Sequence, residues 1–207
     1  IHIEIFNHNG FTFHTLAIMF LQMTTLGYGL LLPTFVQIVL KQPATDAGVV
    51  LLPGAIVGAV FAPIGGLILD RLGAKKPIVL GLCCSFIATF CFLFFFKNLT
   101  YQSCILFYFI YSLGIGLIVG NTMTSAMSHL PKNLQADGNA TLQTLMQLSG
   151  GIGTSITATI LAFVQQGTNL YDGTNRGALF ALIFLMFNIN IVILSQYFAF
   201  KGGKKNE

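Results

Sequence analysis

Charged positions fall in clusters along this chain, and the windows between clusters are apolar on nearly every helical face. Asp and Glu stand only at positions 4, 46, 70, 137, 172 and 207, and Lys and Arg only at 41, 71, 75, 76, 97, 132, 176, 201, 204 and 205. Phe11 to Leu40, Ala47 to Leu69, Pro77 to Phe96, Asn98 to Pro131, Gly138 to Tyr171 and Gly177 to Phe200 are therefore free of all four residue types. A helix crosses a hydrocarbon layer of about 30 Å with about twenty apolar residues, so each window has room for one crossing. The pattern predicts an all-α integral membrane protein with six transmembrane helices, near 13–39, 48–69, 78–96, 102–127, 139–165 and 178–200. Runs such as Cys91 to Phe96 and Leu179 to Phe187 lack the alternate-residue polarity of a membrane β-barrel. Helices this apolar leave no solvated face for a soluble bundle either.

Composition agrees: 55% of the 207 residues are hydrophobic and only 8% charged, against about a quarter charged in a soluble domain. Mean hydropathy is +0.80. The distribution of bases sets an orientation. With the 70–76 loop in the cytoplasm, that side carries Arg71, Lys75, Lys76, Lys132, Lys201, Lys204 and Lys205, and the other side only Lys41, Lys97 and Arg176. Both termini are then cytoplasmic, residues 1–10 as a lead-in, 11–200 as the membrane domain and 201–207 as a basic tail able to touch anionic lipid. The net charge of +4 follows from this topology, and no nucleic-acid role is expected. The first ten residues contain no initiator Met, basic stretch or small-residue cleavage site, so the chain is expected to begin partway through a longer protein.

Within the second predicted helix, Gly54, Gly58, Ala62 and Gly66 recur every four residues, with Asp70 one step further. Such a ribbon lets a neighbouring helix backbone approach closely, although glycine is frequent in membrane helices generally. Pro53 and Pro63 can bend this helix. Gly150, Gly151 and Gly153 give the fifth helix a similar surface, and Gln143 and Gln147 lie one turn apart beside it. Polar residues at membrane depth tend to face a cavity or another helix, though Thr can satisfy its own backbone. Candidates are Gln22, Thr25, Tyr28 and Gln37 on the first helix and Asn121, Thr122 and Thr124 on the fourth. Asn188 and Asn190, about 200° apart on the sixth, cannot share a neighbour, and at least one is expected to bond across helices.

Gly66 to Lys76, GLILDRLGAKK, resembles the signature G-x-x-x-D-R-x-G-x-K-K that major facilitator superfamily transporters carry between the second and third helices of a six-helix half. Ala74 departs from the family pattern, in which a base is frequent. Two longer stretches, Leu51 to Lys76 and Gly138 to Ile156, resemble the carboxy-terminal half of the fourteen-helix drug:proton antiporters. The resemblance implies one half of a bundle transporter working by alternating access, in the plasma membrane of a bacterium. The amino-terminal helices of the same protein and a small amphipathic substrate would be its partners, the proton gradient its energy source, with no cofactor. It further implies a cytoplasmic latch carried by Gly66, Asp70, Arg71, Gly73, Lys75 and Lys76, whose bases could instead only set topology. Helices two and five would meet the opposite half, one and four would line the substrate cavity, and three and six would face lipid.

Enzyme chemistry finds no support. His2, His8, His14 and His129 lack metal-ligand spacing, the carboxylates are scattered, and Cys83, Cys84, Cys91 and Cys104 read as small apolar packing residues. Asn98-Leu99-Thr100 has the spacing of a glycosylation acceptor in a loop too short for one. No predicted span contains an acid or a base, and His14 is expected at the membrane interface, so proton coupling is expected mainly in the absent helices. The alternatives are a non-transporting membrane scaffold or assembly partner, and a transporter for another small solute.

Overall fold

A computed structural model of the chain describes residues 3–57, 60 and 73–203. The helices are α1 (Asn9–Ile38), α2 (Ala44–Val49), α3 (Lys75–Phe94), α4 (Tyr101–Ser128), α5 (Gln135–Gln165) and α6 (Leu170–Gly203), with no strand among the described residues. Five of them, α1 and α3 to α6, are long and apolar enough to cross a membrane. The helical stretch Ala44–Val57 is shorter, and the rest of the second predicted span lies largely outside the described residues.

The helices run past the charge-free windows because charged residues at helix ends are compatible with helix formation. Asp46, Asp137 and Asp172 occupy the first turns of α2, α5 and α6, where a carboxylate complements the partly positive helix N-terminus. The second predicted helix therefore begins at Ala44 rather than 48, after Pro43. It is interrupted at Val50 and Leu51 before resuming over 52–57. Pro53 lies four residues after Val49 and has no N–H to donate to its carbonyl, which accounts for the interruption. Lys75 and Lys76 belong to the first turn of α3 rather than to the preceding loop.

Helix α4 starts at a reciprocal cap. The Ser103 N–H donates to Thr100 Oγ1 at 3.2 Å, and the Thr100 N–H donates to Ser103 Oγ at 2.8 Å. The threonine of the Asn-Leu-Thr triplet is thus a helix cap. At the other end of α4 the Gln135 side chain donates to the carbonyls of Met127 and Leu130 at 3.2 and 3.3 Å.

Helix α1 is the centre of the bundle, packing on α2, α4, α5 and α6, while α3 packs on α4 and α6. Small residues set the closest crossings. A Cβ on Gly114 of α4 would collide with Ser85 and with the Gly81 carbonyl of α3. One on Gly153 of α5 would collide with the Met23 backbone of α1. The main core joins Tyr28, Leu31 and Phe35 of α1 to Phe92, Tyr111, Leu182 and Leu185. A smaller one joins Ile5, Phe11 and Ile18 to Ala126, Leu130 and Leu142 near the start of α1.

Candidate functional site

The polar residues expected to line a cavity lie in two separate places, Thr25 and Tyr28 in one and Asn121 and Thr122 in the other. In the first, Tyr28 of α1 lies tilted against Tyr111 and edge-on to Tyr108 of α4, with ring centroids 4.7 and 6.2 Å away. The Tyr28 hydroxyl donates to Thr89 Oγ1 on α3 at 3.0 Å, and Thr89 passes its own hydrogen to the Ser85 carbonyl at 2.8 Å. Thr25 Oγ1 lies 2.9 Å from the Tyr111 hydroxyl and 2.9 Å from the Leu21 carbonyl. If the threonine hydrogen serves Leu21, the Tyr111 O–H points at Thr25. Thr25, Gly54, Tyr108, Tyr111 and Ser112 line a cleft of about 240 Å³. Its walls are aromatic with hydroxyls at their edges, a surface suited to an amphipathic molecule. Tyr108, Tyr111 and Ser112 escaped the sequence reading. Their signal is three hydroxyls at i, i+3 and i+4 on one helical face.

The second place is a buried polar cluster around His14. The side chain, expected at the interface, is fully enclosed because the second turn of α1 is crossed there by the ends of α4 and α6. Its Nε2 lies 2.9 Å from Ser125 Oγ. Its ring centroid is 5.6 Å from that of His129 and 5.5 Å from that of Phe200. Gln196 of α6 donates to Thr122 Oγ1 at 3.0 Å, and Asn121 donates to the Leu117 carbonyl at 2.7 Å. His14 Nδ1, Asn121 Oδ1 and Gln196 Oε1 are buried without a hydrogen-bond partner, an expensive arrangement in a packed interior. His129, in the turn after α4, has its pKa lowered, first by burial and then by the nearby charge of His8.

The other candidates disperse. Gln22 is half-buried beside Gly150, and Gln37 and Thr124 are exposed. Gln143 and Gln147 are also exposed, and with Gly151, which has open space around it, they form a stripe on an uncovered face of α5. Gly150 and Gly153 instead contact Leu26 and Met23 of α1, and Gly54 contacts Tyr108 and Ser112 of α4. Gly54, Gly150 and Gly153 are therefore packed inside this bundle, while Gly151 stays on the open face. The interhelical bond expected of Asn188 or Asn190 is absent among the described residues. Asn190 donates to the Met186 carbonyl of its own helix, and the buried Asn188 amide has no partner. Cys83 is exposed, Cys84 and Cys91 half-buried and Cys104 buried, all as free thiols.

Of the signature loop, Gly66, Asp70 and Arg71 lie outside the described residues, as do Gly58 and Ala62. Gly73 has φ of 72°, a left-handed conformation that glycine adopts without strain. Lys75 Nζ stands 5.9 Å from the Phe200 ring centroid. No group of His, Cys, Asp and Glu suited to a metal occurs among the described residues.

Long apolar helices around enclosed polar side chains define a multi-pass membrane domain. The family follows from sequence comparison. Residues 2–154 match the family model described as Major Facilitator Superfamily, and the chain belongs to that family. An uncharacterized MFS-type transporter, YhcA of Bacillus subtilis, is 35% identical over 63% of this chain and 24% of its own length. The lincomycin resistance protein LmrB of Listeria innocua is 29% identical over 84% of the chain and 36% of its own. The quinolone resistance protein NorB of Staphylococcus aureus is 26% identical over 78% and 34%. The chain spans between a quarter and just over a third of these relatives.

Proposed function

We propose that this chain is the carboxy-terminal half-bundle of a proton-driven efflux transporter for amphipathic compounds, which works by alternating access with a second bundle and does not transport alone. The observation that carries the reading is the uncovered face of α5. Gln143, Gln147, Gly151 and Ser155 form a polar and small-residue stripe on a helix whose opposite side is packed on α1. Such a stripe is unfavourable against lipid and suits a moving helix contact or a wet cavity. Relatives named for lincomycin and quinolone resistance make those two compound classes the first substrates to try. Asp70 at the end of the small-residue ribbon acts as the latch, meeting the N-terminus of a helix in the other bundle.

The test is efflux of a fluorescent quinolone from cells expressing the complete transporter. Efflux should collapse on adding a protonophore, and Asp70→Asn should lower it while membrane insertion persists. Efflux that survives the protonophore removes the proton from the proposal, and unchanged efflux in Asp70→Asn removes the latch.

A further inference from the structure

Between α3 and α6, on the side away from α1, runs an apolar groove of about 640 Å³ walled by residues including Val79, Cys83, Ile87, Ile193 and Tyr197. Lys75 and Lys201 line the same groove, one in the first turn of α3 and the other near the end of α6. We infer that this groove binds an anionic phospholipid, its phosphate between Lys75 and Lys201 and one acyl chain along α3.

Two features select this occupant. Depth is the first. Twelve residues separate Lys75 from Ile87, about 18 Å at 1.5 Å per residue, and a single leaflet is about half of the roughly 30 Å hydrocarbon core. The groove therefore runs from the interface to the middle of the bilayer.

Charge is the second. Helix α3 opens with two lysines, no acid in its first turn and no side-chain cap on its N-terminal amides. Bases are unfavourable beside the positive end of a helix dipole, and an anion placed there would be attracted by the amides and by both lysines. A cationic amphiphile would be repelled by the same groups. Basic pockets between transmembrane helices are a recognised way of holding anionic headgroups.

The proposal concerns the lipid-facing side of the bundle and stands whether or not the chain exports drugs.

The chain contains no tryptophan, so one introduced indole reports its surroundings without background. Cys83→Trp places it in the groove. Leu194→Trp, on an exposed α6 position outside the groove, is the control at similar depth. Each variant is reconstituted in vesicles, and quenching by brominated phosphatidylglycerol is compared with quenching by brominated phosphatidylcholine. Phosphatidylglycerol should be preferred roughly five- to thirtyfold at Cys83→Trp, the order expected of one to two interfacial lysines, and not at Leu194→Trp. Adding Lys75→Gln and Lys201→Gln should abolish the preference. Equal quenching at Cys83→Trp, or a preference that survives the double substitution, overturns the proposal. Absence of quenching by either lipid also overturns it, because protein rather than lipid then fills the groove. Native mass spectrometry of the chain without tryptophan checks the same point, with phosphatidylglycerol retained and lost on Lys75→Gln with Lys201→Gln. Equal retention by both forms counts against the site.

Discussion

At the scale of single residues, the tightest constraint is the crossing of α3 over α4. A methyl group on Gly114 would meet backbone atoms of Gly81 and Ser85 that cannot rotate away, whereas one on Gly120, on the same helix, meets nothing within 4 Å. Gly114→Ala should therefore cost about 1–3 kcal/mol, the usual range for overpacking, and Gly120→Ala should leave stability unchanged or slightly raised. Thermal melts of the two variants in detergent check this; equal melting temperatures would mean the helices can separate freely. The crossing was legible, because Gly81 and Ser85 are a small pair four apart and Gly114 is another small residue. It is a shorter signal than the glycine ribbons of the second and fifth predicted helices. His129 gives a second expectation. Its pKa is depressed in the folded chain, so as pH falls below the ordinary histidine value of about 6.5 the unfolded state takes up a proton that the folded state resists. Stability should fall from pH 7.5 to 5.5, and less steeply in His129→Asn, as followed by melting temperature.

At the scale of elements, each long helix among the described residues lies over a charge-free window, because apolar length is the quantity a bilayer measures. The windows misplace helix ends, since a carboxylate in a first turn is a favourable feature and not a stop. Asp137 and Asp172 illustrate this at α5 and α6. Thr100 is the opposite case, a helix start readable as a Ser/Thr cap but set in a triplet that suggests another chemistry. Thr100→Ala removes one side of the capping box and should destabilise the chain by about 1 kcal/mol, with helix content by circular dichroism unchanged well below the melting temperature. An unchanged melting temperature would show that packing alone fixes the start of α4. The candidate site was less legible than the helices. Thr25 and Tyr28 were found from polarity alone, but their partners Tyr111 and Thr89 lie 86 and 61 residues away. His14 stands near the end of its span, as its position along the helix suggests, and what the sequence does not show is that the ends of α4 and α6 enclose it.

At the scale of the whole molecule, the ends of the bundle sort the bases. Lys41 stands 5.8 Å from the Tyr171 ring centroid at one end, and Lys75 and Lys201 share a groove at the other. The excess of bases argues that the second end is cytoplasmic. In a background without cysteine, Lys97→Cys should react with an impermeant maleimide on intact cells, and Lys132→Cys only after permeabilisation. The reverse pattern inverts the orientation. Among the described residues the most extensive helix pairing is between α1 and α6, the first and last of these spans. With about 130 residues between them and synthesis at about 5–20 residues per second, α1 waits roughly 7–26 seconds for its main neighbour. During that interval Gly27, which will pack against Leu185, is left to lipid or to a chaperone. The ribosome, rather than the finished bundle, therefore sets how long the core of this protein stays open, and slow codons before α6 would prolong its exposure to membrane proteases.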